Sequence, residues 1–350
     1  MKIKKIISKI ASLLLLTVLI PGITGTNLTT RAHGFTLKTL FKNFTKKIGY
    51  HTQLGNLTAD MLKSEFQIHF IDVGAADCAV IKYTDKAWLV DAGFSLASGI
   101  TDVTKYLPEI GITTLYGALL THAHNDHYWK FKYIFEQFSP QKFYRSYDHG
   151  VTKLIDRYEK IGYAKRFKEP LEKFISEKGS ESCIDVSAGD ILFKDKNLSI
   201  QVISPTRKYK EENNNSIVLF VQYKEKRILL MGDAGVEAES DIMTYCSTHN
   251  INISNVDIVK IGHHGSDTSS SLKFVNLVNP SIIVNSTGGN DLTLGMFNLH
   301  EHSSVIERWK KSYFDSTGKE QIILTTEEQN NIVVYYQNGE LKLARKAPVT

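Results

Sequence analysis

Cysteine is scarce in this chain. Three cysteines occur among 350 residues, at Cys78, Cys183 and Cys246. An odd number of widely separated cysteines does not make a disulfide framework. Cys78 stands inside a strand-like run, so we expect it to pack in the core.

Long apolar runs are also lacking, with one exception near the start. Residues 10–20 are mostly apolar, four lysines precede them, and Pro21 and Gly22 end the run. This pattern predicts a secretory signal peptide over residues 1–32, cut somewhere between Gly25 and Ala32. An uncleaved N-terminal anchor is the alternative, although the run is short for a bilayer span. We expect no stable membrane span after leader removal, and a protein that is secreted or held at the cell surface.

The chain has no large net charge of either sign once the predicted leader is excluded. The chain has 42 basic and 37 acidic residues, and residues 1–33 contain five basic residues and no acid. The remainder is therefore close to neutral. A general basic footprint for nucleic acid is absent.

Histidine is concentrated in one short stretch. His122, His124, Asp126 and His127 form the pattern H-x-H-x-D-H directly after the apolar residues 115–120. A strand that ends in a polar loop lets several side chains converge, and imidazole and carboxylate groups bind zinc-like or manganese-like ions. No cysteine pair for a zinc finger lies nearby, and the H-E-x-x-H pattern does not fit. The alternative is a histidine-rich surface loop that binds nothing.

Two further polar groups follow predicted strands. Asp233 comes after the strand predicted at 227–231, and His263 and His264 follow the one at 256–261. A carboxylate can bridge two cations, and ions roughly 3.5–4 Å apart can hold both the attacking and the leaving oxygen of a displacement. The sequence therefore predicts two divalent ions, zinc or manganese.

The remaining pattern indicates one mixed α/β domain. Residues 33–65 form a polar lead-in, and the catalytic domain covers residues 66–345. We predict strands at 66–73, 79–83, 87–90, 115–120, 198–203, 217–223, 227–231, 256–261, 281–286, 320–325 and 332–336. We predict helices at 102–110, within 128–180, and at 238–248, 270–278 and 303–313. The mildly basic, aromatic segment 142–178 forms either one wall of a substrate cleft or, as we favour, an ordinary helical pair.

Taken together, these motifs resemble a metallo-β-lactamase-fold hydrolase. Within that family, the match over about residues 66–343 resembles the C-terminal hydrolase domain of ComEC-type competence proteins. It rests on residues 70–77, 90–93, 213–216, 232–234, 262–266 and 300–308. The resemblance implies an αββα four-layer sandwich with the metal ions at one edge.

Two departures from the family pattern are evident. The family usually has a further metal-binding histidine between the H-x-H-x-D-H cluster and the bridging aspartate, called here the third-motif histidine. It is missing from this chain, and Asn213 or Asn214 stands near its place. A site with more oxygen ligands favours manganese over zinc. The expected Gln-Gly pair is replaced by Ala75 and Ala76. The chain also lacks the membrane segments of a ComEC channel.

We assign roles to the site residues on this basis. His122 and His124 hold the first metal, while Asp126, His127 and one of the 263/264 pair hold the second, with Asp233 between them. His263 is slightly favoured as the ligand, which leaves His264 to face substrate or support the site. Asp72 and Asp91 are candidates to orient imidazoles. His300 and His302 are candidates for a proton donor or a phosphate contact.

The predicted function is a secreted, metal-dependent hydrolase. We favour a phosphodiesterase or nuclease that attacks a small-molecule or nucleic-acid phosphodiester with a metal-activated hydroxide, Asp126, His264, His300 and His302 being the catalytic candidates. Hydrolysis of a smaller ester, such as a phosphorylcholine or cell-envelope ester, or of a lactam, is the alternative. An inert binding module that kept the fold is a third hypothesis. The oligomeric state is left open.

Overall fold

A computed structural model of the protein describes residues 54–94, 100–146, 164–287 and 303–350. The predicted leader, His300 and His302 lie outside the described residues. Within these four segments, no helix has the length and apolar character that a bilayer crossing needs.

The described residues form fifteen strands. They are β1 (Phe66–Phe70), β2 (Ala79–Tyr83), β3 (Lys86–Val90), β4 (Gly117–Leu120), β5 (Lys142–Ser146), β6 (Cys183–Val186), β7 (Ile191–Lys194), β8 (Leu198–Ser204), β9 (Val218–Tyr223), β10 (Lys226–Leu230), β11 (Ile258–Lys260), β12 (Ile282–Asn285), β13 (Ile322–Thr325), β14 (Asn331–Gln337) and β15 (Glu340–Lys346).

Eight α-helices occur in the same segments. They are α1 (Val103–Glu109), α2 (Asn125–Tyr128), α3 (Phe131–Phe138), α4 (Ala164–Lys178), α5 (Val236–Thr248), α6 (Leu272–Val278), α7 (Ser303–Thr317) and α8 (Thr326–Gln329).

The strands make two mixed sheets. One has the order β15-β14-β1-β2-β3-β4-β5-β6, and the other has the order β13-β12-β11-β10-β9-β8-β7. Strands β3 to β6 are parallel, as are β10 to β13. Because parallel neighbours end at the same edge of a sheet, the loops after them gather there.

The period-2 alternation of side chains builds four layers. Leu119 on β4 faces the second sheet, whereas Leu120 packs under α3. On β10, Leu230 faces the first sheet, and Leu229 packs with α5 and α6. Helices therefore cover the outer face of each sheet, and the predicted αββα sandwich is confirmed.

The strand β5 was not predicted, because residues 128–180 were assigned to helices. Its two aromatic side chains bury on opposite sheet faces, Phe143 among the helices and Tyr144 between the sheets. A short strand covered on both faces lacks the polar–apolar alternation that marks a half-exposed one. Phe167 on α4 is also core, so these three aromatics line no cleft. Tyr147, Tyr158 and Tyr163 lie outside the described residues.

The end of the predicted lead-in packs against the last strand of the chain. Leu57 N donates to Arg345 O at 2.7 Å, and Arg345 N donates to Gly55 O at 2.9 Å. Leu54 is buried beside them. These residues therefore extend the edge of the first sheet beyond β15, a strand that the sequence analysis missed.

Candidate metal centre

The centre forms where four strands of the two sheets end. His122 follows β4 and Asp91 follows β3, while Asp233 follows β10 and His264 follows β11. Ile217 N donates to Thr121 O at 3.0 Å, which joins the two sheets at this edge. The packing of the sheets thus brings together side chains that are far apart in sequence.

Six residues of these loops form two ligand groups that share one carboxylate. The members of each group place one ligand atom within 4.8 Å of all the others. One group is Asp126, His127, Asp233 and His264, and the other is His122, His124 and Asp233. Asp126 and His124 are half-buried and the other members are buried, so the centre opens on their side.

Distances around Asp233 suit a shared ligand. Its Oδ2 lies 3.3 Å from His127 Nε2 and 3.7 Å from His122 Nε2, and its Oδ1 lies 3.7 Å from His264 Nε2. Two atoms bound to one ion at about 2.0–2.2 Å each stand no more than about 4.4 Å apart. These separations therefore allow common coordination.

Contacts behind the imidazoles orient their ligand nitrogens. His127 Nδ1 lies 2.8 Å from Asp91 Oδ2, and Asp91 also accepts the backbone and hydroxyl protons of Thr121. His264 Nδ1 donates to Ser286 O at 2.9 Å. In both rings the Nδ1 contact leaves Nε2 for the centre, an arrangement typical of metal-bound histidines. Asp91 thus has its predicted role.

Asp72, the other predicted supporting carboxylate, has a local role instead. Its Oδ1 accepts Gly74 N at 3.2 Å. Among the described residues it belongs to neither ligand group. It closes a turn after β1, which is the common use of an aspartate at a strand end.

The electrostatics of the centre favour a cation. Burial alone would lower the pKa of His127, but the carboxylates of Asp233, Asp91 and Asp126 hold it well above its usual value. Burial likewise opposes charge on His264, yet Asp233 and Asp77 raise its pKa to about 9. Protons and metal ions compete for such nitrogens, because either one compensates the negative charge of the clustered carboxylates.

Two buried ligand atoms also make no hydrogen bond, although each lies beside another ligand. Within the described segments, His127 Nε2 and Asp233 Oδ1 make no hydrogen bond. Buried polar atoms are nearly always satisfied, so a bound cation is the natural partner for this pair. The donor set, histidine nitrogens with carboxylate oxygens, suits zinc, manganese or iron.

The two adjacent histidines after β11 differ in position. Both have positive φ, 48° at His263 and 51° at His264. His264 enters the four-residue group with its side chain 2% exposed, while the His263 side chain is 16% exposed and its Nε2 is 4.0 Å from Asp233 Oδ2. The sequence slightly favoured His263 as the ligand, whereas the geometry favours His264. Consecutive left-handed residues turn the chain, so strand alternation does not predict which ring points inward.

His263 is held at the rim of the centre by polar neighbours. Its Nδ1 lies 2.6 Å from Thr268 Oγ1, and Asn213 Nδ2 lies 3.2 Å from its Nε2. Asn214 turns away and accepts Gly235 N at 3.0 Å. Of the two asparagines named for the missing third-motif histidine, Asn213 is therefore the one at the centre.

Two small residues that position ligands had no role predicted from the sequence. Ser216 Oγ accepts Asp233 N at 3.0 Å and lies 3.4 Å from His122 Nδ1. Gly262 passes so close to the Asp233 loop that an added Cβ would lie 2.6 Å from Ala234 O. Ser216 ends the asparagine motif quoted for the resemblance, and that position was the available signal.

Comparison with protein families decides the broad identity. A model described as "Metallo-beta-lactamase superfamily" matches residues 71–284, which contain every described member of the two ligand groups. The chain belongs to the metallo-beta-lactamase superfamily. Members of this superfamily are generally metal-dependent hydrolases, and the prediction of such an enzyme is confirmed.

Two curated superfamily relatives are similar over much of the chain. "ComE operon protein 3" of Bacillus subtilis (strain 168) is 25% identical over 269 residues, covering 70% of this chain and 31% of the relative. "Recombination protein 2" of Haemophilus influenzae is 25% identical over 236 residues, covering 66% and 25%. The chain thus spans a third or less of either relative's length. The predicted resemblance to ComEC-type competence proteins is confirmed.

A solved structure supports the fold alone. CmlA, a diiron beta-hydroxylase from Streptomyces venezuelae, aligns with a TM-score of 0.50 at 13% identity, covering 78% of this chain and 54% of CmlA. The superfamily fold accommodates different chemistries, so function depends on the site and not on this likeness.

Proposed function

We propose that this chain is a phosphodiesterase that works with two divalent cations, and that nucleic acid is its substrate class. One observation carries the proposal: Asp233 belongs to both ligand groups, so one carboxylate reaches two adjacent cation positions. Paired cations with a common carboxylate suit displacement at phosphorus, where the entering and leaving oxygens both carry charge.

Residues behind the ligand groups hold the imidazole rings in place. Asp91 keeps the His127 ring oriented and Ser286 does the same for His264. Thr121 Oγ1 lies 3.2 Å from His122 Nδ1 and also contacts Asp91, so it connects the two groups. When bound, divalent cations lower the pKa of water and stabilise charge on phosphoryl oxygens. The chain's own contribution is to hold both cation positions rigid and accessible from the side of His124 and Asp126.

We prefer manganese over zinc because an asparagine, Asn213, stands where the family usually has a further histidine, and its Nδ2 lies 3.2 Å from His263 Nε2. The group of His122 and His124 has only three members, Asp233 being the third. Harder oxygen ligands and a higher coordination number suit manganese.

The names of the two relatives support nucleic acid as the first substrate to test. One is a ComE operon protein and the other a recombination protein. The near balance of basic and acidic residues outside the leader favours a compact substrate contact at the centre over a wide basic groove. We also propose that the protein acts outside the cytoplasm, because its first residues have the signal-peptide pattern.

The test combines metal content with a substrate panel. The full chain, His122→Ala and the surface control His249→Ala are purified, analysed for metal, and assayed with Mn²⁺ or Zn²⁺. We expect nicking of plasmid DNA and cleavage of bis-p-nitrophenyl phosphate, lost in His122→Ala and kept in His249→Ala.

Other outcomes separate the competing hypotheses. Turnover of bis-p-nitrophenyl phosphate, a phosphorylcholine ester or a lactam without DNA cleavage would replace nucleic acid by a small substrate. Absence of bound metal from the wild-type chain would contradict the proposal and favour an inert binding module. The mass of the protein recovered from the medium or cell surface shows whether the leader has been cleaved.

A further inference from the structure

A buried ion pair lies beneath the metal centre and joins the two sheets. Asp77 precedes β2 in the first sheet, and Lys260 is the last residue of β11 in the second. Lys260 Nζ contacts Asp77 Oδ2 directly, and the side chains are only 5% and 8% exposed. Lys and Asp side chains are almost never this deeply buried unless they are paired, as these two are.

Fold stability is a poor explanation for the pair. The cost of removing two charges from water can exceed their mutual attraction, and well-packed apolar replacements are often equally stable. Apolar side chains of both sheets, among them Phe70, Val90 and Leu230, line part of the pocket around the pair. A role at the adjacent centre explains the pair better.

The pair contacts the segments that carry three ligands, Asp126, Asp233 and His264. Lys260 Nζ donates to Gly232 O at 3.2 Å, one residue before Asp233. Asp77 N donates to Asp126 O at 3.3 Å. Asp77 Oδ1 also lies 3.7 Å from His264 Nδ1, on the side of the ring away from the cation position. One ion pair thus contacts segments from both sheets that carry ligands of the same group.

The ammonium group of Lys260 also lies beside a third cluster of possible metal ligands. Asp77, Asp91 and His127 place ligand atoms within 4.8 Å of one another, an arrangement that could itself hold a cation. Lys260 lines the same pocket as Asp77, Asp91 and Thr121. Because Lys260 already supplies a positive charge at this cluster, added metal ions bind instead at the two groups around Asp233.

We infer that Lys260 and Asp77 are positioning residues, whose ion pair sets the spacing of Asp126, Asp233 and His264 across the two sheets. The inference rests on the proposed function, because it assigns the pair to a centre that binds divalent ions. The pair contacts no substrate and is not itself a ligand.

The experiment measures Mn²⁺ binding to the full chain by electron paramagnetic resonance titration. The variants are Lys260→Met, Asp77→Asn and the charge-free double variant with both changes. Removing the partly exposed pair Arg145–Asp185, as Arg145→Met with Asp185→Asn, provides the matched control. Unfolding of each chelated protein by denaturant is measured in parallel, since a merely structural pair would alter that transition and leave affinity intact.

We expect the double variant to fold with an unfolding midpoint close to that of the wild type. Its Mn²⁺ affinity should fall by about 10- to 100-fold, the usual cost of losing a residue that supports ligands. The control should bind Mn²⁺ like the wild type.

Two results would overturn the inference: a folded double variant with wild-type affinity, or a double variant that does not fold, since the pair would then serve the fold. Failure of the wild-type chain to bind Mn²⁺ or Zn²⁺ is a different result, which contradicts the proposed function itself.

Discussion

Asp91 Oδ2 lies 2.8 Å from His127 Nδ1, and both side chains are buried. Asp91 accepts two further protons from Thr121, one from its amide and one from its hydroxyl, so the carboxylate is held at three points. The His127 ring is consequently fixed with Nε2 directed at Asp233. This relationship connects the end of β3 with the histidine motif after β4.

Asp91→Asn should weaken metal binding while it preserves the shape of the site. The amide keeps the size of the carboxylate but loses the charge that makes the imidazole a better ligand. Affinity for Mn²⁺ or Zn²⁺ should fall by about 10- to 100-fold, measured by calorimetric titration. Asp72→Asn is the matched control and should bind as the wild type does; equal losses in both variants would contradict the assignment.

His264→Ala and His263→Ala should differ in metal content. His264 lies in a four-residue ligand group, so its loss should remove an ion or reduce its occupancy severely. His263 lies at the rim beside Thr268, and its variant should retain the wild-type metal-to-protein ratio by elemental analysis. The reverse pattern would restore the ligand that the sequence slightly favoured.

Gly262→Ala should destabilise the protein through a steric clash at the centre. The added methyl group would lie 2.6 Å from Ala234 O, so the loops that carry Asp233 and His264 must separate. We expect a loss of about 1–3 kcal/mol in the free energy of unfolding, as for overpacked sites, together with weaker metal binding. Gly55→Ala is the control, because nothing lies within 4 Å of its added Cβ. Equal stability of both variants would disprove the close approach.

His69 should make the chelated protein sensitive to mild acid. Burial, with Lys82 and Lys346 nearby, lowers its pKa from 6.5 to about 3. Below pH 6.5 this histidine is protonated in the unfolded chain but stays neutral in the folded chain. The free energy of unfolding therefore decreases by about 1.4 kcal/mol for each unit that the pH is lowered, down to about pH 3. The neutral ring is bound on both sides, by Tyr106 and Gln67.

His69→Gln should therefore reduce the loss of stability between pH 7 and pH 5 by about 2 kcal/mol relative to the wild type. Denaturant unfolding of the chelated proteins at both pH values measures this difference. His249→Gln alters an exposed histidine and serves as the control, with the pH dependence of the wild type. Identical pH dependence in all three proteins would show that His69 is protonated as readily when folded as when unfolded.

Local patterns in the sequence were sufficient for most of the fold. Apolar runs at 79–83 and 227–231 became β2 and β10 within a residue, because each packs one or both faces in a core. β5, β6, β7 and β15 were missed. Phe143 and Tyr144 on β5 bury in two different layers, and β7 and β15 are edge strands that bury little. A strand of that kind has no clear period, so only its neighbours identify it.

Short-range signals in the sequence were sufficient for the superfamily, the sandwich and most candidate ligands: the H-x-H-x-D-H motif, the strand-end Asp233 and the histidine pair at 263 and 264. The packing of the two sheets was needed to show which of the two adjacent histidines turns inward, and that Asp91 supports His127 while Asp72 does not. It alone paired Asp77 with Lys260, which lie 183 positions apart. Such choices depend on the direction of side chains where two sheets meet, and the distance between those side chains in space is not encoded in their spacing along the chain.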